Sequence, residues 1–402
     1  NAEESQILNA HSDLLDPGLL ETIIAVVKQF EDRGNQKVAN FLTNLALKLG
    51  KILGSDQQLT VIRKQTADIL FDWGSEQYNI PRLLITTQCL EQSLLIYKAI
   101  QERQGEANAL GSLGNAYQCL GEYERAIDFQ QKSLAIHLEI KHRLGQANAL
   151  GNLANTYYFL GQYEQAITFH EQSLTISREI KDREGEANSL GSLGNAYYSL
   201  GEYERAITFN EQHLAISQEI KDRLGEAASL GNLGNVYNFL GQYEKAIAFH
   251  KQSLAISQEI EDPFGEANSL GNLGNAYQCL GEYERAIGFY EQHLAISRKI
   301  KDRLGQANAL GNLGNAYQCL GEYERAIAFC QKSLAIHREI KHRFGEATVL
   351  GSLGNAYQCL QEYERAINFH EQHLAISREI KDLLGEANAL GSLGNAYQCL
   401  GE

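Results

Sequence analysis

From Ala107 to Leu120 the apolar residues Ala107, Leu110, Leu113, Tyr117 and Leu120 return at three- and four-residue steps. That spacing gathers them on one helical face and predicts a helix A over 106–120. Gly121 follows the last periodic residue, where a left-handed stop is expected. Tyr123, Ala126, Ile127, Phe129, Leu134, Ile136 and Ile140 then continue the steps. They predict a longer helix B, roughly 122–141, with an apolar face wide enough to meet two neighbours. The stretch KDRLG, Lys221 to Gly225, or a variant of it, reads as the linker to the next helix A.

This pattern recurs every forty residues, in seven units at 105–144, 145–184, 185–224, 225–264, 265–304, 305–344 and 345–384. A truncated eighth unit occupies 385–402. A helical hairpin cannot bury its apolar face alone, so stacking of neighbours is what folds such a chain. Upstream, 65–104 fits the frame loosely through Ala67, Leu70, Trp73, Leu94, Ile96 and Ile100, as a degenerate capping repeat would. The first 64 residues read as a helical lead-in, with one amphipathic helix opening at Asp16-Pro17 and a second carrying Val38, Phe41, Leu42, Leu45 and Leu49. Pro17, Pro81 and Pro263 all stand at predicted helix starts, where a missing N–H does no harm.

Glycine inside a helix costs about 1 kcal/mol relative to alanine, yet each unit carries two, such as Gly111 and Gly114. Gly114 shares the face of Leu110 and Tyr117, which predicts close approach of helix B. Gly111 lies near the opposite edge beside Asn108, Ser112, Asn115 and Cys119. There it either opens backbone to a ligand or lets neighbouring A helices crowd together.

Composition narrows the function. The formal net charge of −15 argues against nucleic acid and anionic membrane surfaces as partners, because both demand a basic face. No apolar run is long enough to span a membrane and no signal peptide opens the chain. The seven cysteines largely repeat at one position, where stacking would set them roughly 9–10 Å apart. That is too far for a disulfide, so they read as free thiols of a cytoplasmic protein. With no methionine even at position 1 and an end inside a repeat, the chain reads as a piece of a longer protein. No catalytic constellation, phosphate loop or cofactor motif is present. His370 and His373 have a spacing that could hold a metal, but no fixed carboxylate or thiol stands beside them.

The string L-G-x-x-Y-x-x-x-G-x-Y-x-x-A-I, at Leu113, Gly114, Tyr117, Gly121, Tyr123, Ala126 and Ile127 and repeated down the chain, resembles the tetratricopeptide repeat. The usual repeat is shorter, and this longer Leu-Gly-Asn variant is similar to animal peptide-binding scaffolds. It also resembles bacterial, notably cyanobacterial, arrays attached to caspase-like or nucleotide-binding signalling domains. The resemblance implies an all-α fold, a right-handed α-solenoid with helix A of each unit lining a concave groove. It further implies a non-catalytic scaffold for a protein or extended peptide, or alternatively the sensor arm of a larger enzyme or signalling protein whose effector lies beyond residue 402. There are departures: Leu110 stands where the family has tryptophan, Ala154 replaces the Leu-Gly-Asn glycine, and Gln361 replaces the turn glycine. Arginines on the groove face of the animal scaffolds are asparagines here, so a preference for acidic peptides does not carry over.

Within that frame the groove is amide-rich. Asn115, Asn155, Asn195, Asn235, Asn275, Asn315 and Asn355 stand in register, with Asn232, Asn272 and Asn312 beside them. An amide both donates and accepts, so such a ladder can hold peptide backbone or, alternatively, serve as scaffold. Tyr158-Phe159, Tyr198-Ser199 and Asn238-Phe239 interrupt a Gln-Cys pair found in the other units. Tyr158, Phe159, Tyr198 and Phe239 are therefore candidate apolar anchors, or else mark older copies in a duplication history. The open face of the last helix A, with Leu390, Leu393 and Tyr397, predicts self-association through that end.

Overall fold

The computed structural model describes residues 16–32, 36–55, 60–75 and 83–401. The start at Pro81 and the side chains of Val38 and Phe41 lie outside the described part. The described residues are all helical or in short turns. The chain forms two compact units, Asn1–Glu202 and Tyr203–Glu402. The first holds α1 (Pro17–Asp32), α2 (Gln36–Ser55), α3 (Thr60–Ser75), α4 (Leu83–Ala99), α5 (Arg103–Cys119), α6 (Tyr123–Glu139), α7 (Arg143–Phe159), α8 (Tyr163–Ile180) and α9 (Arg183–Leu200). The second holds α10 (Tyr203–Ile220), α11 (Arg223–Phe239), α12 (Tyr243–Glu259), α13 (Pro263–Cys279), α14 (Tyr283–Lys299), α15 (Arg303–Cys319), α16 (Tyr323–Glu339), α17 (Arg343–Cys359), α18 (Tyr363–Glu379) and α19 (Leu383–Leu400). From α5 onward the odd helices are A and the even helices B, so each unit is an α-solenoid of antiparallel hairpins.

Helix A starts three residues earlier than its periodicity predicts, at Arg103 rather than 106, and the supposed linker KDRLG contains its first turn. The cause is an N-cap. Asp182, Asp222 and Asp382 each accept a hydrogen bond at 3.0 Å from the backbone N–H three residues on, at Gly185, Gly225 and Gly385. Apolar spacing is blind to that capping turn, because its residues need not be buried.

Both turns of the hairpin are left-handed, and glycine serves only one of them. Gly121, between α5 and α6, has φ +75°. The return turn from B to A uses lysine in most repeats, for example Lys181 at φ 59°. Asp182 N–H donates to Ser177 C=O at 2.9 Å and Lys181 N–H to Arg178 C=O at 3.2 Å, closing the helix end and offsetting the strain. Gln361 keeps the turn its glycine equivalents make, at φ 61°, so it carries the left-handed cost of about 1 kcal/mol.

Two contacts recur in the hairpins. A Cβ at Gly114 would sit 2.5 Å from Gln130 Cγ and 3.2 Å from Ala126 O, so this glycine admits helix B as its face predicts. Gly111 also meets its own helix B, a contact that neither expected reading included: its Cβ would face Ser133 Oγ, at 3.3 Å. Ser133 in turn donates to Ala107 C=O at 2.7 Å, and Ser173, Ser253 and Ser333 repeat that bond in their hairpins. Ser93 on α4 donates likewise to Ala67 C=O on α3 at 2.9 Å, so the segment upstream of the regular repeats closes its hairpin in the same way.

Candidate functional site

Between consecutive A helices, open cavities run along the face away from the apolar core. In the first unit one of 330 Å³ holds Asn115 and Asn152. Another, of 500 Å³, holds Asn152, Asn155, Ser177 and Asn188. In the second unit a 440 Å³ cavity holds Asn232, Asn235, Asn272 and Ser257, and a 510 Å³ cavity holds Asn272, Asn275, Asn312 and Asn315. Asn195 and Asn355 are exposed but line none of these four.

The amides divide into two sets. Asn115 Oδ1 accepts from Gln130 Nε2 at 3.3 Å, and Asn275 Oδ1 accepts from Tyr290 OH at 2.8 Å, so these brace helix B. Asn232 Nδ2 donates to Asn210 Oδ1 at 3.2 Å, and Asn312 Nδ2 reaches Asn275 Oδ1 at 3.5 Å. Among the described residues, the side chains of Asn155, Asn235 and Asn315 have no such partner, and these residues line the cavities.

The predicted aromatic anchors lie elsewhere, at the C-terminal ends of the A helices. Phe159 and Phe239 are 58% and 61% exposed. Phe239 packs on Tyr203, ring centroids 4.6 Å apart, and Phe159 stands edge-on to Tyr158 at 5.9 Å. Tyr158 OH lies 3.0 Å from Ser199 Oγ, and Tyr198 is half-buried. None of these aromatics borders the four cavities.

Sequence reasoning missed three features of the cavity walls. One is the serine row of Ser177 and Ser257, whose buried hydroxyls have no partner. A second is a pair of histidines, His137 with His142 and His337 with His342, whose Nδ1 atoms stand 3.4 Å and 3.2 Å apart where other repeats have serine and aspartate. Burial pushes the imidazoles of His137 and His337 down, which keeps them neutral at pH 7. The third is a row of exposed leucine and phenylalanine at the second residue of the A helices, hidden within what read as linker. Among the residues lining these cavities, Asp262 alone carries a fixed charge. The site therefore offers hydrogen bonds and apolar area rather than ions. Among the described residues there is no group of three or more metal-ligating side chains, and no helix is long and apolar enough to cross a membrane.

Comparison with known proteins agrees with this architecture. The tetratricopeptide repeat profile matches residues 86–139, 145–219, 225–299, 305–379 and 345–402. No curated protein sequence matches. Among solved structures the chain is similar to the apo quorum sensor NprR from B. thuringiensis, at 14% identity and a TM-score of 0.62, covering 89% of this chain and 98% of that one. It is similar also to a Rap protein complexed with Competence and Sporulation Factor (14%, TM-score 0.59, 91% and 99%). A third is the Signal Transduction ATPase with Numerous Domains protein with a tetratricopeptide repeat sensor from Pyrococcus horikoshii (15%, TM-score 0.53, 96% and 72%). With the profile running over most of its length and hairpins of that type throughout the regular array, the chain belongs to the tetratricopeptide repeat family.

Proposed function

We propose that the chain is a non-catalytic scaffold that binds an extended peptide, or an extended segment of a protein, along the face of its A helices. The observation that carries this is the set of amides at Asn155, Asn235 and Asn315, which line open cavities with no partner of their own. An unpaired amide in a sheltered cavity gains by meeting a backbone N–H or C=O, whatever side chain that residue carries. The likeness in fold to a Rap protein complexed with a factor and to a quorum sensor supports the same reading. A random-peptide display library selected on the intact chain tests it. Enriched peptides should bind the Asn235→Ala/Asn315→Ala variant roughly tenfold more weakly or worse. An empty selection, or equal binding by the variant, refutes the reading.

The sensor-arm alternative draws on the likeness to a signalling ATPase whose repeats are a sensor, and it would use the same face. Tyr158, Phe159, Tyr198 and Phe239 would form a second contact surface at the A-helix ends. If Phe159→Ala and Phe239→Ala both leave the affinity of a selected peptide unchanged, that surface is not used. Self-association through α19, where Leu390 and Tyr397 are exposed but Leu393, expected beside them, is buried against Ile367 and Ala396, would appear as a concentration-dependent mass in light scattering.

A further inference from the structure

On the second unit Leu224, Phe264, Leu304 and Phe344 stand in register, each, like Leu384 after them, the second residue of its A helix. They are 60%, 57%, 41% and 58% exposed, a repeated apolar display that soluble surfaces rarely keep without use. The fold does not require it. In α9 the same position is Glu184, exposed and charged, so the helix start forms equally well without an apolar residue.

These side chains border the cavities in pairs. Leu224 and Phe264 line the 440 Å³ cavity, and Leu304 and Phe344 line the 510 Å³ cavity. Both cavities share Asn268 and Asn272 as walls, so they make one continuous trough from α11 to α17. Its floor is amide and its rim apolar. Its one fixed charge is Asp262, which accepts from Phe264 N–H at the start of α13, so a charged side chain seated anywhere else in the trough would lose water without gaining a counter-ion, which is costly.

From this we propose that the trough of the Tyr203–Glu402 unit selects an uncharged, extended peptide segment with a large apolar side chain at every third residue. The proposal rests on the peptide-binding reading above and names the class of peptide. The period follows from spacing. Successive A helices touch: a Cβ at Gly311 would lie 3.7 Å from Val349 Cγ2 on the next one. Helices in such contact lie roughly 8–10 Å apart. A polyproline-type strand advances about 3.1 Å per residue and turns once in three, about 9 Å. Every third side chain thus meets the same rim position on successive repeats, while the residues between turn their backbone to the amides.

The test uses the intact chain and two probes. The first is a display library of random twelve-residue peptides. The second is a set of fluorescein-labelled nine-residue peptides with leucine at every third or every second position, or lysine or aspartate at every third, and serine or asparagine elsewhere. Library peptides should carry apolar residues three apart, and the matching synthetic peptide should bind best. The Phe264→Ser/Phe344→Ser variant, altered only at exposed positions, should lose about tenfold or more in affinity for it. Binding that ignores the spacing, accepts the charged peptides, or survives the double serine variant while the asparagine variants weaken it overturns this proposal alone. Absence of any binder overturns it together with the peptide-binding reading.

Discussion

The glycine that admits helix B offers a sharp test of how the hairpins pack, because its opposite number differs from repeat to repeat. At Gly274 an added Cβ would lie 2.6 Å from Cδ1 and 2.9 Å from Cζ of Tyr290. That ring is 1% exposed, and its hydroxyl donates to Asn275 Oδ1 at 2.8 Å. Alanine would gain about 1 kcal/mol of helix propensity. Against it stand overpacking, typically 1–3 kcal/mol, and about 1 kcal/mol for the hydroxyl bond lost when the ring moves away. Gly274→Ala should therefore destabilise by about 2 kcal/mol. Gly234 faces His250 just as closely, but its Nδ1 has no hydrogen bond to lose. The second repeat already carries alanine at this position, Ala154, with a histidine, His170, at the matching place on helix B, and both are buried. Gly234→Ala should thus lie between neutral and about 1 kcal/mol stabilising. Urea unfolding followed by far-UV circular dichroism reads both changes, and hydrogen exchange in α13 and α14 localises the first. Adding Tyr290→His to Gly274→Ala should recover most of the loss. Equal shifts for the two alanines, or no recovery, would refute this account of the packing.

Other expectations follow from buried or paired groups. His170 and His250 have imidazoles that burial pushes down to about 4. The unfolded chain then takes up protons first, so stability is lost as pH falls from about 6.5 toward 4, by roughly 2 kcal/mol per imidazole at pH 5. Denaturant midpoints that stay flat between pH 7 and 5 in wild type, or fall equally in His170→Gln/His250→Gln, would contradict this. Arg223 is paired to Glu226 and Glu259, and Arg303, Arg343 and Arg103 make the equivalent pair to a helix B glutamate. The repeat that has Pro263 in place of this arginine has Lys299 in place of its glutamate. Pro263→Arg and Lys299→Glu together should couple favourably by about 0.5 kcal/mol in a double-mutant cycle, since such pairs are exposed; zero coupling would deny the clamp. Burial pushes the thiols of Cys89 and Cys330 up to about 12, while Cys119, Cys279, Cys319, Cys359 and Cys399 are exposed. Alkylation at pH 8 should label those five quickly and the buried two only on unfolding, which intact mass spectrometry reads directly.

Much of the architecture was legible in the residue order. Apolar steps of three and four reported the helices, and the forty-residue return of Leu-Gly-Asn and Tyr-x-x-Ala-Ile reported the stacking. Gly114 was legible too, because a glycine on an apolar face has few uses besides close approach. Gly111 was legible in part: it borders a cavity as a groove position should, but its contact with Ser133 arises only once the hairpin closes. The asparagine row was visible, but which amides brace helix B and which stay free depends on what stands at the position of Gln130 or Tyr290 across the hairpin.

Periodicity along one chain depends only on local helix geometry and on the water-avoidance of side chains, so the sequence by itself settled the repeat and its two helices. Groups tens of residues apart meet only after hairpins close and stack. That is why tertiary structure alone decided the capping turn within the linker, the serine-to-carbonyl bonds, and the Leu224 to Phe344 rim of the trough. An exposed apolar residue at a helix start carries no periodic signal, and its meaning comes from the cavity it borders.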